Sequence, residues 1–95
     1  MTTTYKIKAV SKYVRSLFLD YKGEGRGKNN NFSDDGGRED EEFDSLEYAK
    51  SKADSLRDEF DDGWEMRVYM EESDDDGIAS SLVYSVDCTK EDEEV

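Results

Sequence analysis

Histidine is missing from all 95 residues, and proline with it. The first absence excludes the most. No Ser-His-Asp or Cys-His arrangement can be assembled, the commonest general base is gone, and the usual zinc ligand sets lose their imidazoles. Catalysis would rest on carboxylates, Lys or Tyr alone, and the chain reads as non-enzymatic. Cysteine is nearly missing: the lone Cys88 has no partner for an internal disulfide, which fits a reducing compartment. Its simplest role is that of a small buried or edge residue. No apolar run approaches the ~20 residues needed to span a bilayer, and the N-terminus lacks the charged-then-apolar pattern of a signal peptide. The expectation is a soluble cytoplasmic protein with no membrane partner.

What is present is charge. Charged residues make up 41% of the chain and apolar ones 34%, while aromatics at 12% set it apart from disordered proteins. A single domain of this size buries about 60–65% of its unfolded surface, so marginal stability is expected. The net charge of −13 is unevenly spread. Residues 1–28 hold seven Lys/Arg against two acids, residues 29–62 hold thirteen acids against four bases, and residues 63–95 hold eleven against two. Such a chain is repelled by nucleic acid and anionic membranes and attracted to basic surfaces.

The stretch from Phe43 to Met70 organises the fold. Asp44 is placed as an N-cap with Glu47 three residues on, the capping-box spacing, and Phe43 and Tyr48 fall where a hydrophobic staple would sit. Leu46, Ala49, Ala53, Leu56 and Phe60 recur at helical steps, predicting a helix of about five turns that Gly63 ends. The period then becomes two: Trp64, Met66, Val68 and Met70 alternate with polar residues, as in a half-buried strand. Tyr5–Val10 predicts a strand after a loose start at residues 1–4. The next piece fits a helix or a strand, and its residue types favour a strand over about Val14–Tyr21, with Tyr13, Leu17, Leu19 and Tyr21 on one face. Residues 22–42 read as a flexible acidic, Gly- and Asn-rich loop whose only large apolar residue is Phe32. Ser73–Gly77 is turn chemistry. Ser81–Asp87 resumes as a strand in which Leu82, Tyr84 and Val86 share a face, and residues 89–95 form an acidic tail. The expected architecture is α+β: a small antiparallel β-β-α-β-β sheet with one long helix on one face and the other face partly open.

Specific motifs fall away one by one. Asn31, Ser33, Asp35, Gly36 and Glu42 match an EF-hand count, but Arg38 stands where an apolar residue belongs. Glu72, Asp74, Asp76 and Gly77 repeat the first half, and Val83 stands where the bidentate Glu belongs. Both are read as acidic turns, and no metal or other cofactor is expected. The run Gly23–Gly27 lacks the spacing of a phosphate-binding loop. Asn31-Phe32-Ser33 is a chance glycosylation sequon. No pair of carboxylates has the cleft that would raise one pKa.

The collective pattern of acids remains. Glu47, Asp54, Asp58 and Asp61 fall along one exposed helix flank, joined by acidic loops at both ends, and carboxylates about 5–6 Å apart can imitate the phosphates of a nucleic acid. In size, acidity, lack of histidine and loop–helix–strand layout, the chain resembles small α+β proteins encoded by phages and mobile elements, among them anti-CRISPR and anti-restriction inhibitors that mimic nucleic acid. The resemblance implies a non-enzymatic inhibitor of a host nuclease or nucleic-acid-binding complex, with no direct binding of nucleic acid. The carboxylates expected to take the phosphate role are Asp34, Asp35, Glu39 and Asp40 in the loop, Glu47, Asp54, Asp58 and Asp61 on the helix, and Asp74, Asp75 and Asp76 in the last turn. The alternative is an assembly module, in which the open sheet face and the Tyr-rich hairpin pair with another protein or as a homodimer, the acidity serving only solubility.

Overall fold

The computed structural model describes residues 2–14, 17–27, 31–34, 40–60 and 63–88. Five antiparallel strands, β1 (Thr2–Ser11), β2 (Phe18–Tyr21), β3 (Phe32–Ser33), β4 (Trp64–Asp74) and β5 (Gly77–Asp87), form one sheet in the order β3-β2-β1-β4-β5. The helix α1 (Leu46–Leu56) lies on one face. The class is the expected α+β, with one strand more than the sequence announced.

β1 is the central strand, and its alternation decides the two faces. Ile7 and Ala9 point into the core, while Lys6 and Lys8 point to the far side. The strand starts at Thr2, not Tyr5: its β-branched threonines continue the ladder, with Thr2 opposite Ser73 and Thr4 opposite Glu71. The ambiguous segment does become a strand, but a shorter one than Val14–Tyr21. Ser11 Oγ accepts the N–H groups of Tyr13 (3.2 Å) and Val14 (3.1 Å), and this local turn delays β2 until Phe18. Leu19 and Tyr21 then join the core, whereas Tyr13 stays 81% exposed.

The expected flexible loop at 22–42 lies partly outside the described residues; of its described parts, Lys22, Gly23, Phe32 and Ser33 are buried and Glu24–Arg26 are exposed. Phe32 is 1% exposed, with its ring 5.3 Å from Tyr21 and 5.0 Å from Phe60. One large apolar side chain is enough to seat a polar segment when a pocket of aromatics receives it. Lys22 N–H donates to the Asn31 carbonyl at 2.8 Å, closing the segment on itself. Gly27 passes so close to Phe32 that an added Cβ would lie 2.3 Å from its carbonyl oxygen. The chain then returns beside β1, where Tyr5 and Phe43 exchange backbone hydrogen bonds of 2.9 Å each.

The helix is capped one residue later than expected, by Ser45, whose hydroxyl accepts from Tyr48 N. Asp44 is therefore outside the helix. Phe43 and Tyr48 still meet edge-on at 5.3 Å, so the staple contact survives the shift of cap. Ala49, Ala53 and Leu56 are buried, the two alanines letting the backbone lie close to the sheet. The α-helix is also shorter than five turns. It tightens to a 3-10 turn at Arg57–Glu59, and Phe60 leaves the helix to pack 4.9 Å from Trp64. Gly63, at φ +100°, turns the chain into β4 instead of ending the helix.

β4 and β5 form a longer hairpin than predicted, closed by Asp75 and Asp76 alone, with Asp74 Oδ1 accepting from Asp76 N at 2.8 Å. A bulge between Val68 and Tyr69 leaves Val83 without a partner: Val68 faces Tyr84 and Tyr69 faces Leu82. Leu82 thus moves off the Tyr84–Val86 face, contrary to the strict alternation expected, and lies 50% exposed on the far side of the sheet.

Candidate partner-binding surface

The far face is held by ion pairs. Lys8 Nζ lies 2.5 Å from Asp20 Oδ1, its register partner across β1 and β2, and Asp20 is 1% exposed. Lys22 Nζ reaches Asp40 Oδ1 at 2.5 Å, both side chains buried. Lys6 stands among Glu71 (3.2 Å), Glu42 (3.7 Å) and Asp40 (3.9 Å). Burial alone would lower the Lys6 pKa, but the hydrogen bond and charge of Glu71, with Asp40 and Glu42 behind it, hold it above the ordinary lysine value. Burying such charges gives little net stability while both partners stay, and costs about 3–5 kcal/mol when one is removed.

This network engages four of the seven bases of the N-terminal segment, Lys6, Lys8, Lys12 and Lys22. Lys6, Lys8, Lys12, Lys22, Lys52 and Arg67 each hold an acid within ion-pair distance. Sequence reading missed the role of Lys8, Asp20 and Lys22. The available signal was Asp20 itself, an acid inside the apolar run Leu17–Tyr21, which a strand can bury only with a cation opposite.

The expected carboxylate set divides accordingly. Asp40 is not a surface acid, because Lys22 and Lys6 draw it inward. Asp35, Glu39 and Asp61 lie outside the described residues. Asp34 is exposed but engaged. On the helix, Glu47, Asp54 and Asp58 are exposed. Asp54 accepts the Tyr84 hydroxyl at 2.7 Å, and that hydrogen bond, then burial, raises the tyrosine pKa. Lys50 occupies the same row, three residues after Glu47 and four before Asp54, with its ammonium 5.2 Å from the Tyr84 ring centre. The flank therefore alternates in sign between Glu47 and Asp54, and Asp58 stands on the 3-10 turn. At the hairpin tip, Asp74, Asp75 and Asp76 are exposed, Asp74 bracing the turn. Among the described residues, the exposed acids of the helix flank and of the hairpin tip form two separate groups.

The open face also carries a shallow cleft of about 260 Å³ lined by Lys8, Val10, Phe18, Arg67, Tyr69 and Ser80. Arg67 Nη1 donates to the Tyr69 hydroxyl at 3.1 Å and its Nε to Glu65 at 3.0 Å, so the cleft's basic groups are already engaged. Among the described residues, no group of acids and cysteine is placed to hold a metal ion, and no helix is long and apolar enough to cross a membrane. Comparison with protein-family models, curated proteins and solved structures gives no match to this chain.

Proposed function

We propose that this protein is a non-enzymatic inhibitor that sets its free carboxylates against a basic, nucleic-acid-binding surface of a host defence nuclease or complex. The observation that supports this reading is the unequal fate of the two signs of charge. Lys6 and Lys8 of β1 and Lys22 just after β2 are neutralised within the fold, whereas Glu47 and Asp58 on the helix side and Asp75 and Asp76 at the hairpin tip face solvent. The outward field is acidic and is carried by groups that need no rearrangement to meet cations. Such a field raises association rates and rejects nucleic acid itself.

Two outcomes are expected. Protein immobilised at low salt retains a basic nuclease or nucleic-acid-binding complex from nuclease-treated lysate. That complex is released by moderate salt or by added DNA or RNA, because each phosphate-like contact carries a counterion penalty. Reversing the charge at Glu47, Asp58 and Asp75 together, and leaving Asp54 to hold Tyr84, removes inhibition while the circular dichroism spectrum and melting stay native. A triple variant that still inhibits, or a complex indifferent to salt, rejects the proposal at these residues.

A further inference from the structure

Gly77 to Val86 is the longest uncharged run in a chain of which 41% is charged. It forms the outer edge of the sheet, and among the described residues no segment pairs with its free side. Edge strands are normally blunted by lysine, proline or shortness. β5 has eleven residues and neither lysine nor proline. Its one irregularity, the bulge at Val83, spares the distal part from Gly77 to Leu82. There Ile78 is 71% and Leu82 50% exposed.

We propose that two copies of the chain join through the distal half of β5, antiparallel to each other about a two-fold axis at Ser80. Three observations select this occupant and register. The opposite edge of the sheet, β3, is only two residues long, so edge pairing has one long partner available. Self-pairing there is isologous and closes at two instead of growing into a fibre. The segment is free of charge, so two chains of −13 meet where no like charges oppose. Ile78, Ser80 and Leu82 share a face in the alternation before the bulge. An axis at Ser80 puts Ile78 of one copy opposite Leu82 of the other, twice, and covers both exposed side chains. A register centred on Leu82 would instead cross the bulge and oppose Ser80 to Tyr84, residues of opposite faces. The joined sheet is continuous, and its contact is small, so the dimer is a concentration-dependent one.

Sedimentation equilibrium of the full chain, up to roughly 1 mM, tests this directly. The weight-average mass is expected to climb from 10.9 kDa toward twice that value, and to climb further in about 0.5 M salt, where repulsion between the acidic bodies is screened. That salt response is opposite to the one expected of the inhibitor complex, so the two readings fail separately. Ser80→Cys should cross-link into a covalent dimer on mild oxidation at least tenfold faster than Ser85→Cys, since paired Cα atoms on the axis lie about 4.5–5.5 Å apart. Ile78→Lys with Leu82→Lys should hold the protein monomeric with native circular dichroism. A wild-type chain that stays monomeric at roughly 1 mM in high salt, or equal cross-linking at Ser80 and Ser85, overturns the proposal, whatever other strand the edge captures.

Discussion

The two edges of the sheet invert the usual placement of polar and apolar residues. At the β2–β3 edge the charges are inside: Asp20, Lys22 and Asp40 are buried beside Phe32 and Tyr21. At the β5 edge the uncharged residues are outside, Ile78 and Leu82 among them. The first edge is closed by its own chain, residues 40–43 returning to bond β1 and β2. Among the described residues, none pairs with the second. A small domain with one helix cannot cover both faces and both edges. Here coverage went to the charged edge, where leaving it undone would have been most costly, and the edge left open is one that water tolerates.

The contrast breaks first at Phe32. Replacing it by Ala removes a fully buried ring and should cost about 3–5 kcal/mol. Ile78→Ala, at the open edge, should stay within about 0.5 kcal/mol in dilute solution. Urea midpoints at equal slope measure both, and comparable losses would abolish the distinction between the edges. Next comes charge. Asp40→Ala strips a buried acid from Lys22 and Lys6 and should cost about 3 kcal/mol, whereas Asp75→Ala at the hairpin tip should change little. A mild Asp40→Ala would mean that the far face is solvated after all.

The smallest effect is with pH. Burial pushes Cys88 and Tyr21 up, the Asp54 hydrogen bond pushes Tyr84 up, and acids outweigh burial to raise Lys6. In each case the folded protein keeps a proton that the unfolded chain releases. Their contribution is complete below about pH 9 and is lost as pH rises through the folded values. The urea midpoint should therefore fall as pH rises above about 9, through the ordinary Cys, Tyr and Lys range and on through the higher folded values. A midpoint that rises there would contradict the assigned partners.

What the sequence made legible followed periodicity. The alternations of Ile7 and Ala9 and of Met66 and Val68, and the Ala49–Ala53–Leu56 stripe, each identified the face that is buried. These signals are repeated over several residues, so one exception does not erase them. Single-residue signals were weaker. Ser45 took the cap from Asp44, since either side chain can accept the orphan N–H groups and the entry of the chain from Phe43 decides between them. The bulge that moves Leu82 to the other face depends on one unpaired residue, Val83, and leaves no mark in the alternation of types. Half of the candidate site was readable in the same sense. That Asp75 and Asp76 would be exposed follows from their turn. That Asp40 would not be exposed follows from lysines far away in sequence, which only the register of β1 and β2 brings near it.

The central position of β1 has a consequence for how the chain is made. Its long partner, β4, begins only at Trp64. At about 5–20 residues per second, β1 waits on the order of several seconds during synthesis for its long partner. During that wait the side of its backbone that will face β4 has no strand to pair with. Lys6 and Lys8, later drawn into the ion pairs of the far face, carry positive charge on the nascent segment and keep it from pairing with its like. The same lysines thus serve twice, first as a deterrent against premature association and then as the counterions that close the fold.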